Sequence, residues 1–175
     1  MLFACAAGLL VLVAAAPLFR QSEVPVAAGR PRASALTSAL PTLAAPRPKA
    51  DEIDSAWVSQ SPAPAISVGE DATLTFRFRN TGKVAWRRGT VSEASLALTG
   101  DDRGFDPRVA VDWPLASRPA MQMEDEVPPG ELATFTFKVR GITPGNYRID
   151  LRPTMSNVGW LRDEGVYVEV TVRQD

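Results

Sequence analysis

Four stretches of this chain alternate apolar and polar side chains with a period of two. Leu74, Phe76 and Phe78 fall on one side of LTFRF, with Thr75, Arg77 and Arg79 on the other. ATFTFKVR (133–140) sets Phe135, Phe137 and Val139 against Thr134, Thr136, Lys138 and Arg140. YRIDL (147–151) does the same with Tyr147, Ile149 and Leu151, and VYVEVTV (166–172) with Val166, Val168, Val170 and Val172. Successive side chains of a strand point to opposite faces, so this pattern predicts strands with one face buried against a second layer. Between them lie turn-forming sequences: Asn80-Thr81-Gly82, Pro128-Pro129-Gly130 and Pro144-Gly145. No stretch in this part of the chain has a convincing helical period. The expectation is an antiparallel β-sandwich over residues 51–175, immunoglobulin-like in size, with seven to nine strands. The single cysteine, Cys5, leaves it without an internal disulfide.

Two other materials precede it. Residues 2–19, LFACAAGLLVLVAAAPLF, carry no charge, and as a helix would span about 27 Å, close to the hydrocarbon thickness of a bilayer. A retained single-pass anchor over residues 1–20 is the expected reading. A secretory signal peptide is the alternative, with Ala14 and Ala16 in an A-x-A pattern but Pro17 after the cut and no basic residues ahead. A buried core helix is the third reading. Residues 21–50 contain five prolines, many alanines and no hydrophobic period, which reads as a linker. Arg20, Arg30 and Arg32 follow the apolar run, which by the positive-inside rule favours a cytoplasmic sandwich.

Composition removes several functions. The chain has no histidine, one cysteine and a formal net charge of −1. The usual general base, the commonest zinc ligand and every Ser-His or Cys-His arrangement are missing, and no polycationic surface points to nucleic acid. The expectation is a non-catalytic protein with no cofactor and no metal site. Asp101, Asp102 and Asp106 do not have the spacing of a calcium loop, and read as solvated turn acids.

The ordered set of motifs is more specific than its parts. SAWVSQSPAP (55–64), FRNTGKVAW (78–86), VPPGELATFTFKV (127–139), TPGNYRIDLR (143–152) and VGWLRDEGVYVEVTV (158–172) follow one another. In that order they resemble the four-tryptophan Ig-like domain, found in the centre of selective-autophagy receptors and on bacterial surface proteins. The resemblance covers about residues 55–173. It marks Trp57, Asn80, Gly82, Trp86, Gly130, Gly145, Tyr147 and Trp160 as fold-defining. Trp86 and Trp160 match motif positions, whereas Phe76 and Leu151 stand where the family often has tryptophan. Physically, Asn80 is expected to bond nearby backbone, Gly82 to take positive φ, Trp86 to enter the core, and Trp160 to close one end of the sandwich. Trp57 is expected to pin the first strand.

The segment from Thr99 to Pro129, GDDRGFDPRVAVDWPLASRPAMQMEDEVPP, is too long and polar for a hairpin loop. Its apolar groups Phe105, Trp113, Met121 and Met123, together with Trp160, are the expected partner-binding surface; the alternative is that they fold back onto the sandwich. Arg77, Arg79, Arg87, Arg88, Arg148 and Arg152 read as a salt-bridged solvent face. The functional expectation is a membrane-anchored adapter or accessory subunit that binds other protein subunits, with the bacterial resemblance favouring an extracytoplasmic sandwich. The alternative is a cell-surface module for carbohydrate or cell wall.

Overall fold

The computed structural model describes residues 46–100 and 106–174. The apolar run 2–19, most of the linker and Phe105 lie outside the described residues. Among the described residues no helix is long and apolar enough to cross a membrane.

The alternating segments form the expected strands. β3 (Asp71–Asn80) and β9 (Leu132–Arg140) pair antiparallel over nine registered positions, from Asp71 opposite Arg140 to Arg79 opposite Leu132. Leu74, Phe76, Phe78, Phe135, Phe137 and Val139 are all buried on one face of this ladder. Phe76 stacks on Phe137 at 5.9 Å between centroids, and Phe78 meets Phe135 edge-on at 6.0 Å; both are favourable aromatic geometries. β1 (Ser55–Gln60) adds to β3, and β6 (Ala110–Val111) adds to β9, giving the order β1-β3-β9-β6. At the end of the ladder Arg140 donates to Asp71 at 2.6 and 2.9 Å. These bonds, helped by the guanidinium charge, hold the Asp71 carboxyl below the usual aspartate range.

The second sheet runs β2-β12-β10-β5-β7, made of β2 (Ala65–Ser67), β12 (Tyr167–Arg173), β10 (Gly145–Met155), β5 (Ala94–Leu98) and β7 (Ala120–Met121). β11 (Gly159–Trp160) folds back on the end of β10, and β4 (Trp86–Arg87) pairs with β8 (Glu126–Val127) in a separate ribbon. The four valines of VYVEVTV, with Ile149 and Leu151, are buried facing the first sheet. One sheet of four strands facing one built on β12-β10-β5 is the ABED/GFC arrangement of an immunoglobulin-like sandwich, with β2 and β7 as additions to the second sheet. Among the described residues seven strands have three residues or more.

The sandwich departs from the antiparallel expectation at β2, which pairs parallel to β12. The chain leaves β1, crosses between the sheets through Ser61-Pro62-Ala63-Pro64 and resumes beside the last strand. Prolines have no N–H to offer a ladder, so the crossing is a natural break. Tyr147 is a second departure: 37% exposed, it is not part of the buried face that Ile149 and Leu151 form. Its hydroxyl donates to the Thr143 carbonyl at 2.8 Å, four residues upstream, the tyrosine corner found at this strand in immunoglobulin-like domains.

FRNTGKVAW is organised by Asn80, which is fully buried. Its Nδ2 donates to the carbonyls of Val84 (2.9 Å) and Val127 (2.8 Å), and its Oδ1 accepts from the Gly82 N–H at 3.0 Å. One amide thus closes the turn and ties it to β8. Gly82 is required for a different reason from the expected positive φ: it is not among the positive-φ glycines. A Cβ there would come within 2.6 Å of the Glu52 carbonyl oxygen and 2.8 Å of the Asp54 nitrogen. Trp86 is fully buried as expected, with Val127 beside it in register. Asn80→Ala should leave two carbonyls short of a donor and lower stability by about 2–4 kcal/mol in urea unfolding. A change below about 0.5 kcal/mol would show that Asn80 does not organise this turn.

Candidate functional site: the open flank

A sandwich of two sheets has two flanks, each with exposed strand edges unless something covers them. Residues 106–123 cover one. After a single 3-10 turn (Pro107–Val109) capped by Asp106, β6 pairs with β9 on the edge of the first sheet, Ala110 opposite Val139 and Val111 opposite Lys138. Trp113 then meets Phe137 edge-on at 5.6 Å and donates its indole N–H to the Lys138 carbonyl at 2.7 Å. Beyond a tight pairing of Leu115 with Arg118, β7 pairs with β5 on the edge of the second sheet. The Leu98 and Gln122 amides donate to Ser117 and Ala94 there. Gln122, only 1% exposed, joins the parts: its Oε1 accepts from the Ala94 N–H, and its Nε2 donates to the carbonyls of Trp86 and Glu124.

This corrects the expected contact patch. Trp113 packs against the core and Met121 is part of β7, so both serve closure of the sandwich. Met123 is the exposed member, at 56%, while its backbone N–H is held by Thr134. Asp106 is engaged by Arg108, whose bonds hold its carboxyl below the usual range. Among the described residues no three Asp, Glu or Cys side chains converge as a metal site requires.

The described residues do not close the opposite flank. β1 is an edge strand, and its Trp57 and Val58 are 44% and 39% exposed. Trp57 lies opposite the buried Phe78, but among the described residues no strand continues the sheet beyond it, and the register shifts between Trp57 and Ser59. Trp57, expected to pin the first strand, therefore stands half in solvent. Across from β1, β2 covers only Thr171–Arg173 of the β12 edge. Between β1 and the start of β12 runs a groove of about 710 Å³, lined by Trp57–Ala63 and Glu164–Glu169. Two side chains bridge it: Gln60 Nε2 donates to the Tyr167 carbonyl at 2.9 Å, and the Trp57 N–H donates to the Glu164 carboxylate.

Of the two expectations for Trp160, closing an end or standing in a contact surface, the structure matches only exposure. Trp160 is 48% exposed on the outer face of the second sheet, where it pairs with Thr154, and does not close an end. The Arg152 guanidinium lies 5.6 Å from its ring centroid, and that of Arg148 lies 3.8 Å from the ring of Tyr167. These are cation–π contacts. Both arginines have other partners, Arg148 at Asp150 and Arg152 at the Leu161 carbonyl. Arg87 pairs with Glu126, and Arg79 donates to the Gly130 carbonyl. The expected salt bridges are present at Arg87, Arg148 and, with Asp163, Arg152, whereas Arg79 bonds a carbonyl.

A smaller cavity of about 290 Å³ opens beside Ile142, Tyr147 and Val170. Its charged lining residues, Asp106, Arg140, Arg148 and Asp150, are each already ion-paired. The groove, with backbone edges on both walls, is the stronger site.

No protein-family model and no curated protein sequence matches the chain. Among solved structures it is similar to the CARDB domain of the PF1109 protein from Pyrococcus furiosus, solved in complex with di-metal ions. That match has a TM-score of 0.45 and 14% identity, and covers 71% of this chain and 97% of that one. It is also similar to domains 4 and 5 of the S-layer protein SbsC, with a TM-score of 0.32, 14% identity, and 68% and 53% of the two chains covered. A third likeness is to a β-glucosidase from Listeria innocua solved with glucose, at 0.38 and 17%, covering 69% of this chain and 16% of that one. Scores below 0.5 at such identities carry no inference about ligand or role.

Glu164, Tyr167 and Glu169 were not singled out as site residues from the sequence. The signal was present, since the alternation that buries the valines of VYVEVTV turns Tyr167 and Glu169 outward. Trp113→Ala should loosen the covering segment, lowering stability by about 1–3 kcal/mol and exposing residues 107–119 to limited proteolysis. Unchanged cleavage would contradict the closing role.

Proposed function

We propose that this chain is a non-catalytic, immunoglobulin-like adapter or accessory subunit that binds a partner protein through its open flank. In this reading residues 2–19 hold it at the membrane, with the sandwich on the extracytoplasmic side. One observation carries the proposal. The chain uses residues 106–123 to cover the strand edges on one flank, while among the described residues the other presents two edges, Trp57, Val58 and Tyr167 to solvent. Uncovered strand edges beside exposed aromatic groups are what a binding surface needs and what an isolated domain avoids. The missing histidine removes the usual general base, which supports a role in binding rather than chemistry.

A second reading, binding of polysaccharide or cell wall, has an observation of its own. Tyr167 and Trp160 pair with Asp150 and Thr154 on the same outer face, about 13 Å apart along β10 at the usual strand rise. Exposed rings at such a spacing suit stacking on sugars. Each ring, however, already has an arginine against it.

A photo-crosslinking residue placed at Ser59 should give a discrete protein adduct in native membranes, and one at Thr73, exposed on β3 of the same sheet but away from the groove, should not. The chain should co-migrate with that partner after detergent extraction. A lone species with no Ser59 adduct would contradict the proposal. Retention on an immobilised glycan that is lost in Trp160→Ala would favour the second reading.

A further inference from the structure

We infer that the open flank takes a single extended peptide strand carrying lysine or arginine at alternate positions, added to the free edge of β12. This rests on the partner-binding reading above and names the chemistry of the partner segment.

The edge of β12 is defined by its hydrogen bonds. Leu151 donates to the Val166 carbonyl at 2.9 Å, so Tyr167 and Asp150 face each other without exchanging backbone bonds. Further along, Thr171 donates away from β10, to the Pro64 carbonyl at 3.0 Å. The period of two then turns the N–H and C=O groups of Tyr167 and Glu169 to that same side. β2 stops short of them, because its ladder begins at Ala65 opposite Thr171. A strand edge two residues long is thus left beside the groove.

What occupies this edge shows what it can accept. Gln60 supplies an amide N–H to the Tyr167 carbonyl, and Glu164 supplies a carboxylate oxygen to the Trp57 N–H. These are the donor and acceptor that the backbone of an inserted strand would provide. β1 and the start of β12 make no backbone pairing here; a glutamine side chain bridges them across a groove of about 710 Å³. Trp57, Val58 and Pro62 give the groove apolar lining.

Charge selects the occupant. Among the described residues the only charged side chains lining the groove are Glu164 and Glu169, and Arg148, opposite Glu169 in register, is committed to Asp150. An incoming strand that replaces Glu164 at the Trp57 N–H frees its carboxylate to pair with a basic side chain. Two occupants from this chain itself fit poorly. Residues 21–50 carry five prolines, which lack the N–H a ladder needs. β1 of a second copy, SAWVSQ, has no basic residue to meet the two glutamates.

Strand addition of this kind draws affinity from main-chain bonds and selectivity from alternate side chains, and the two can be tested separately. The full-length chain in detergent is titrated with a capped decapeptide of alternating Lys and Val, followed by tryptophan emission. Matched peptides carry Glu in place of Lys, or N-methyl groups on alternate amides. The Lys/Val peptide should bind, and the Glu/Val and N-methylated peptides should bind at least tenfold more weakly. Glu164→Lys with Glu169→Lys, both on the surface, should weaken the Lys/Val peptide by roughly tenfold at low salt. No binding, equal binding of the N-methylated peptide, or indifference to the charge reversal would overturn the inference, as would occupation of the groove by a second copy or by residues 1–45. The bridging side chains would then serve only to guard the edge. A Ser59 adduct that persists alongside any of these results leaves the partner reading standing; loss of the adduct as well removes both.

Discussion

Every strand edge ends in backbone N–H and C=O groups that need partners, and this constraint organises the whole molecule. The phenylalanine-lined ladder of β3 and β9 and the valine face of β12 make a core. A core alone would leave both flanks ready to pair with other chains. The chain answers differently on its two sides. On one it uses β6, Trp113, Gln122 and β7 to close the edges of β9 and β5. On the other it leaves β1 and the start of β12 facing each other, bridged by Gln60 and Glu164.

That asymmetry explains where the tryptophans go. Trp86 is buried behind the Asn80 turn, and Trp113 anchors the closing segment onto Phe137 and the Lys138 carbonyl. Trp57 and Trp160 stand at the open side and on the outer sheet face, roughly half exposed. A buried tryptophan needs surrounding atoms on all sides, and an edge strand has neighbours on only one. The same residue type therefore serves the core in two places and the surface in two others.

The sequence made the long strands legible, because a period of two over several residues has few other solutions. Asn80 and Trp86 were legible for the same kind of reason, with turn chemistry fixing one and the return to the core fixing the other. The closing segment was not. Its pairings are two residues long, too short for any period, and its contacts are with residues distant in the chain. The need for glycine at position 82 was read correctly as to residue and wrongly as to cause, since a close approach of the Glu52 and Asp54 backbone leaves no mark in the local sequence. The exposure of Trp57 and Trp160 has no mark in the local sequence, because bulk and apolarity lead to burial only where a neighbouring strand completes the wall.

Amide hydrogen exchange on the free chain tests the central claim, that one flank is closed and the other open, most directly. The Leu98, Gln122 and Met123 amides, held across the closed flank by Ser117, Ala94 and Thr134, should exchange at least about a hundredfold more slowly than those of Tyr167 and Glu169. Equal protection on both flanks would contradict the account.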